Sequence, residues 1–188
     1  MIADPPISPV NLLEYLSRHE CRPQVVCQLG NMANLASVIF EHGQCLPLFG
    51  SMGMVLPVSL GVAMGTPKQI VAIEGDGGLL MNLGALATTA ALSPPNLLLI
   101  VADNAGYQTT GGQPVGFSVT KGIHSVLEAC GWADVRRVSE SGFENAIDWG
   151  MQPGMKALVI EMQQIEHSSF PKGSDPCSLV RAFHSVCG

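Results

Sequence analysis

The segment from Asn96 to Ala102 reads Asn-Leu-Leu-Leu-Ile-Val-Ala, and Gln69 to Glu74 reads Gln-Ile-Val-Ala-Ile-Glu. Neither run alternates apolar with polar residues, and both have strand length. A strand that is apolar on both faces must be covered on both, which is the condition of an inner strand in a parallel sheet. Between the two runs, Leu79 to Leu92 is rich in Ala, Leu and Thr and stops at Ser93-Pro94-Pro95, which predicts a helix with a sharp end. A strand–helix–strand connection in one parallel sheet crosses over right-handed, so these two strands lie side by side.

The rest of the chain repeats the pattern. Ser8-Pro9 reads as an N-cap with proline in the first turn, followed by Leu12, Leu13 and Leu16 on one helical face. Val25 to Leu29 is a strand ending at Gly30, then a helix runs from about Ala33 to Glu41. Leu46 to Phe49 is a short extended piece, and Met52 to Met64 suits a tightly packed helix. After the strand at 96–102 a polar, Gly-rich loop runs from Asp103 to about Ser118. A helix near Ile123–Cys130, an edge strand over Ala133–Val138, a helix over Gly142–Gly150, a last strand over Ala157–Met162 and a terminal helix over Ser178–Val186 complete the reading. The expectation is one three-layer α/β/α domain spanning residues 1–188, with a mostly parallel sheet of about six strands.

Composition narrows the function. Hydrophobic residues are 47% of the 188 and charged residues 13%, which excludes disorder. So little charge fits either apolar surface covered by a partner or a very apolar core. The net charge of −6 and the lack of any basic run argue against nucleic acid. No apolar stretch approaches the roughly 18–20 residues of a membrane span. The opening Met1-Ile2-Ala3-Asp4-Pro5-Pro6 lacks a basic region and apolar core, so no secretion signal and a cytoplasmic location are expected. Cys21, Cys27, Cys45, Cys130, Cys177 and Cys187 are scattered, without the clustering that zinc or iron–sulfur sites need.

The most informative segment is Glu74-Gly75-Asp76-Gly77-Gly78, answered by Asp103-Asn104-Ala105-Gly106. If the two strands are neighbours, Asp76 and Asn104 both sit beyond their carboxyl ends, where open α/β sheets bind ligands. One carboxylate and one carboxamide oxygen suit a hard cation such as magnesium, which shares its shell with ligand phosphates. Gly75, Gly77 and Gly78 let backbone approach those phosphates and precede a helix start near Leu79.

Gly-Asp-Gly followed after about 26 residues by Asn resembles the thiamine diphosphate signature of the decarboxylase and transketolase superfamily. The resemblance implies thiamine diphosphate and Mg2+ as cofactors, with the metal on Asp76, Asn104 and the Gly106 carbonyl, and Tyr107 among the cofactor-binding residues. Gly50-Ser51-Met52-Gly53-Met54 resembles the loop supporting the middle of that cofactor. The Gly50 carbonyl would accept a hydrogen bond from the aminopyrimidine, and Met52 would wedge between the two rings, bending the cofactor so that its amino group can take the thiazolium proton. Gly75 to Thr88 and Thr110-Gly111-Gly112-Gln113 narrow the likeness to sulfopyruvate decarboxylase β subunits and the carboxy-terminal part of phosphonopyruvate decarboxylases, over about Val25 to Met162.

The implied reaction is decarboxylation of a small acidic 2-oxo acid, with sulfoacetaldehyde or phosphonoacetaldehyde as product. Thr109, Thr110 and the amides of Gly111 and Gly112 are the candidate contacts to the acidic tail. In the superfamily a glutamate from a separate pyrimidine-binding domain activates the cofactor, and nothing here resembles that domain. Glu14, Glu20 and Glu74 are poorly placed for the role. The expectation is therefore a pyrimidine-binding α-type partner chain and an α2β2 or larger assembly. His42, His124 and His167 could assist proton transfer, and His19 and His184 read as surface residues. The competing readings are phosphonopyruvate decarboxylase, a β subunit of a 2-oxo acid ferredoxin oxidoreductase, which the scattered cysteines disfavour, and a non-catalytic thiamine diphosphate binder.

Overall fold

The two doubly apolar runs are the central strands of the sheet. The computed structural model describes residues 5–116, 119–164 and 175–187. Its main sheet has six strands, all parallel, in the order β2 (Cys45–Pro47), β1 (Gln24–Cys27), β3 (Ile70–Gly75), β4 (Leu97–Asp103), β8 (Lys156–Glu161) and β7 (Val135–Val138). The three-layer α/β/α expectation is met, and β7 is the edge strand the sequence predicts.

One face carries α1 (Pro9–Arg18), α2 (Asn31–Ile39) and α7 (Phe143–Gly150), packed around Leu12, Leu16, Ala36, Ile100, Ile147 and Leu158. The other carries α3 (Val55–Gly65), α4 (Asp76–Met81), α5 (Gly84–Leu92), α6 (Val119–Ala129) and α8 (Pro176–Cys187), around Val55, Leu79, Leu86, Val101, Leu127 and Phe183. Every side chain from Leu97 to Val101 is fully buried. Burying each such chain is worth about 1.5–3 kcal/mol, so β3 and β4 form the stable platform on which any site at their ends is built. Trp132 is also buried, and its indole N–H is satisfied by the Leu86 carbonyl at 3.1 Å.

The structure corrects two helix boundaries and adds a ladder. The helix expected over Leu79–Leu92 starts at Asp76 and is broken into α4 and α5 at Asn82–Leu83. The helix expected from Met52 starts at Val55, because Gly53 turns the chain with φ +80°. The loop after β4 contains a small antiparallel ladder, β5 (Gly106–Tyr107) with β6 (Gln113–Pro114). Among the described residues no helix is long and apolar enough to cross a membrane.

Candidate functional site

β3 ends at Gly75 and β4 at Asp103, with Gly75 paired to Ala102. The residues that follow, Asp76 and Asn104, therefore leave the same edge of the sheet from adjacent strands. Asp76 is 2% exposed. Its Oδ1 accepts a 2.7 Å hydrogen bond from the Gly77 amide, and its Oδ2 has no partner among the described residues. Burial first, with the charge of Asp103, pushes the Asp76 carboxyl up to about 6, against the opposing amides of Gly77, Ala105 and Gly106. The carboxylate thus feels the loop beyond β4 directly. A buried carboxylate oxygen without a counter-charge is a place where a cation would repay its dehydration.

Asn104 is held from both ends of its carboxamide. Its Oδ1 accepts from the Gly106 amide at 3.1 Å, and its Nδ2 donates to Gln108 Oε1 at 3.1 Å. The oxygen keeps a second lone pair for a ligand. The turn between them places Ala105 in the left-handed region at φ +59°. Asp103, which sequence reasoning treated only as the start of the loop, is also 2% exposed, with Oδ1 accepting from the Ala105 amide at 3.2 Å and Oδ2 unpartnered among the described residues. Burial first, and then Glu161, raise its pKa, while the Ala105 amide, Arg137 and the neighbouring Asp76 carboxyl lower it. Its signal was a carboxylate ending an otherwise apolar inner strand.

A cavity of about 50 Å³ opens at this edge. Of the residues singled out by sequence, Met52, Gly75, Asp76, Gly77 and Gly78 line it, as do Asn104, Gly106, Tyr107 and Thr109. Gly50, Ser51, Thr110, Gly111 and Gly112 are not in its wall. Gln28, Asn31, Met32 and Gln108 are there too, and sequence reasoning missed them. A polar Gln28 directly after the buried β1 was the available signal, since β1 ends at the same edge.

The glycines of the Asp76 segment have a packing role that the sequence did not reveal. A side chain at Gly75 would collide with Gln28, at Gly77 with the ring of Tyr107, and at Gly78 with Glu74. These three positions let side chains from distant segments close on the strand end. Glu74 does not point toward the cavity. It is 2% exposed, and its Oε2 accepts the Val55 amide at 3.1 Å at the start of α3. Burial pushes its carboxyl up to about 7, with the amides of Val55, Leu56 and Gly75 opposing.

The Gly50–Met54 loop reaches the cavity through Met52, which is half-buried; Gly50, at φ +77°, and Ser51 are exposed. In the loop after β4, Thr109 packs against Gly30, where a Cβ would lie 2.6 Å from its Oγ1. The amides of Gly111 and Gly112, expected to be available to an acidic substrate tail, instead donate to the Tyr107 carbonyl at 3.3 and 3.0 Å. They close the turn between β5 and β6. Among the described residues, the histidines fall outside the cavity wall. His124 lies within α6, 3.4 Å from Glu128, and His42 is exposed. His19, expected at the surface, is nearly covered and faces Asp148 at 3.3 Å because α1 packs on α7. His167 lies outside the described residues.

Comparison with known proteins identifies the family of the chain. The family model described as thiamine pyrophosphate enzyme, C-terminal TPP binding domain, matches residues 25–161. The sulfopyruvate decarboxylase subunit beta of Methanothermobacter thermautotrophicus is 37% identical over 123 residues, 65% of this chain and 66% of that one. That of Methanococcus maripaludis is 31% identical over 136 residues, 72% of this chain and 73% of that one. The phosphonopyruvate decarboxylase of Streptomyces hygroscopicus is 38% identical over 111 residues, 59% of this chain but 27% of its own length. A solved structure from Mycobacterium smegmatis, described as a candidate thiamin diphosphate-dependent enzyme, superposes with TM-score 0.69 over 86% of this chain and 33% of its own, at 20% identity; this likeness concerns the fold alone.

Proposed function

The chain belongs to the thiamine pyrophosphate enzyme C-terminal, TPP-binding domain family, and from that premise we propose that it is the β-type subunit of a two-chain, thiamine diphosphate- and magnesium-dependent decarboxylase of an acidic 3-substituted pyruvate, sulfopyruvate above all. The observation that carries this reading is the buried Oδ2 of Asp76, which has no hydrogen-bond partner among the described residues, beside the Asp103–Gly106 loop. Magnesium favours oxygen ligands and often takes only one protein carboxylate. Asp76, the Asn104 side chain and the Gly106 carbonyl would hold it, and through it the diphosphate.

When bound, thiamine diphosphate supplies an electron sink for the electrons left as carbon dioxide departs. The protein's own part is positional. Met52 would support the bend of the cofactor, and the Gly50 carbonyl would orient its aminopyrimidine. Tyr107, packed on Gly77, and Thr109, packed on Gly30, both line the cavity, where Tyr107 would shield the metal and Thr109 would face the substrate. With Gly111 and Gly112 engaged by Tyr107, the charge on the acidic tail would be met by Thr109 and by the partner.

Two features support a partner chain. The sulfopyruvate decarboxylase relatives from Methanothermobacter thermautotrophicus and Methanococcus maripaludis, of which the chain spans 66% and 73%, are named as β subunits. Between Glu41 and Asp103 the only charged side chains are Lys68, Glu74 and Asp76, and the last two are buried, although Met64, Met81 and Leu92 in this stretch are 63%, 56% and 51% exposed. Met81 lies against Gly53 of the Met52 loop, and so apolar a stretch suits contact with the α-type, pyrimidine-binding chain that would complete the cofactor site, in an α2β2 or larger assembly.

The test is co-expression with the neighbouring reading frame, followed by carbon dioxide release from sulfopyruvate and from phosphonopyruvate. Release from sulfopyruvate that requires thiamine diphosphate and magnesium, and that Asp76→Ala abolishes together with cofactor binding, is expected. Preference for phosphonopyruvate would transfer the assignment to that substrate. Full thiamine diphosphate affinity in Asp76→Ala would overturn the metal assignment.

A further inference from the structure

We infer that Asn82 is a positioning residue for the Met52 loop, fixing where Met52 stands relative to Asp76; its consequence for the cofactor rests on the function proposed above, while the clamp itself does not. The helix after β3 breaks at Asn82, whose φ −142° and ψ 56° leave the helical region. Its backbone serves both sides of the break, the amide donating to the Leu79 carbonyl at 3.2 Å and the carbonyl accepting from the Ala85 amide at 3.1 Å. Its side chain is thereby turned out of the helix axis, and Nδ2 donates to the Gly53 carbonyl at 3.0 Å.

Gly53 is buried, adopts φ +80°, and leaves no room for a Cβ, which would lie 3.1 Å from both Asn82 Cβ and the Gly78 carbonyl. The loop is therefore pressed onto α4 at Gly53. Two residues on, the Val55 amide is held by Glu74 Oε2. The Met52 loop is thus fastened at both ends of α4, by Glu74 before it and by Asn82 after it, and Asp76 is the first residue of that helix. The structure couples the predicted wedge to the predicted metal ligand through two hydrogen bonds rather than through the cofactor. What this requires of residue 82 is a donor. An aspartate has the same shape and only accepts, so it would leave the buried Gly53 carbonyl unpaired and face it with like charge.

Hydrogen exchange by mass spectrometry on the full chain tests the clamp with no cofactor present. Asn82→Asp and Asn82→Ala should each speed exchange of the amides of residues 50–55 about tenfold, with β3 and β4 protected as in wild type. Thiamine diphosphate titrated in magnesium chloride into the chain purified with its partner should bind both variants about tenfold more weakly. Wild-type exchange of the loop in Asn82→Asp would overturn the inference, since a space-filling role is preserved by that substitution. A loosened loop with unchanged cofactor affinity would overturn the positioning role. If the wild-type complex took up no thiamine diphosphate, the proposed function would fall, and the exchange comparison would still decide the clamp.

Discussion

The carboxylate of Glu74, the penultimate residue of the strand that leads to Asp76, accepts the amide of Val55, the first residue of α3, at 3.1 Å. Met54, at the N-cap of α3, makes no side-chain cap bond. A residue from another segment therefore does the capping, and it does so from inside the core. Glu74→Ala should destabilise the chain by about 1–2 kcal/mol, as loss of a buried cap does. Glu74→Gln keeps an acceptor without a buried charge and should recover most of that loss. Urea denaturation of the three proteins decides it; equal losses in both variants would mean the cap has no acceptor role.

Why some of this was legible in sequence and some was not has a physical pattern. Ile70–Gly75 and Leu97–Asp103 were legible because their burial on both faces is written in their own residues. The meeting of Asp76 with the Asn104 loop followed from those strands and the handedness of the crossover. The break at Asn82 was hidden, because Met-Asn-Leu carries no strong helix breaker and the reason to turn is a hydrogen bond to Gly53, 29 positions back. The packing of Gly75, Gly77 and Gly78 was hidden for the same reason, since Gln28, Tyr107 and Glu74 arrive from other elements. His19 looked like a surface residue because nothing local shows that α7 brings Asp148 to it. Propensity and period are local; these contacts are not.

Ala105 is held at φ +59° between Asn104 and Gly106. The left-handed region costs an alanine about 1–2 kcal/mol. Glycine removes that strain but orders a freer chain, a cost of about 0.4–1 kcal/mol. Ala105→Gly should therefore stabilise the metal-free chain by up to about 1.6 kcal/mol. A lower denaturation midpoint in this variant would show that the methyl group of Ala105 makes contacts worth more than the strain.

Tyr15 on α1 donates its hydroxyl to Asp148 Oδ1 on α7 at 2.6 Å. That hydrogen bond first, then partial burial and the nearby charges of Asp148, Glu144 and Glu20, push its phenol from 10.0 up to about 12. A proton-bearing form favoured by the fold stabilises it fully below pH 10, and that contribution is lost as pH rises through about 12. Tyr15→Phe should abolish this alkaline loss of stability. Phenolate absorbance, taken as the difference between wild type and Tyr15→Phe, should titrate near 12; a midpoint near 10 would show that Asp148 does not hold the hydroxyl in solution.

The exposed apolar residues of α3 and α5 make the proposed partner testable without activity. Met64 on α3 and Leu92 on α5 are more than half exposed, in a stretch whose one exposed charge is Lys68. A glutamate at either place is well solvated in the isolated chain, so Met64→Glu and Leu92→Glu should each change its stability by less than about 0.5 kcal/mol. In an interface, the same charge would be stripped of water against an apolar surface with no partner to neutralise it. Each substitution should weaken association with the α-type chain by tenfold or more, read as its loss from co-purification and from sedimentation of the complex. Both variants retaining the partner at the wild-type ratio would place the docking surface elsewhere on the chain, and the low charge between Glu41 and Asp103 would then need another cause.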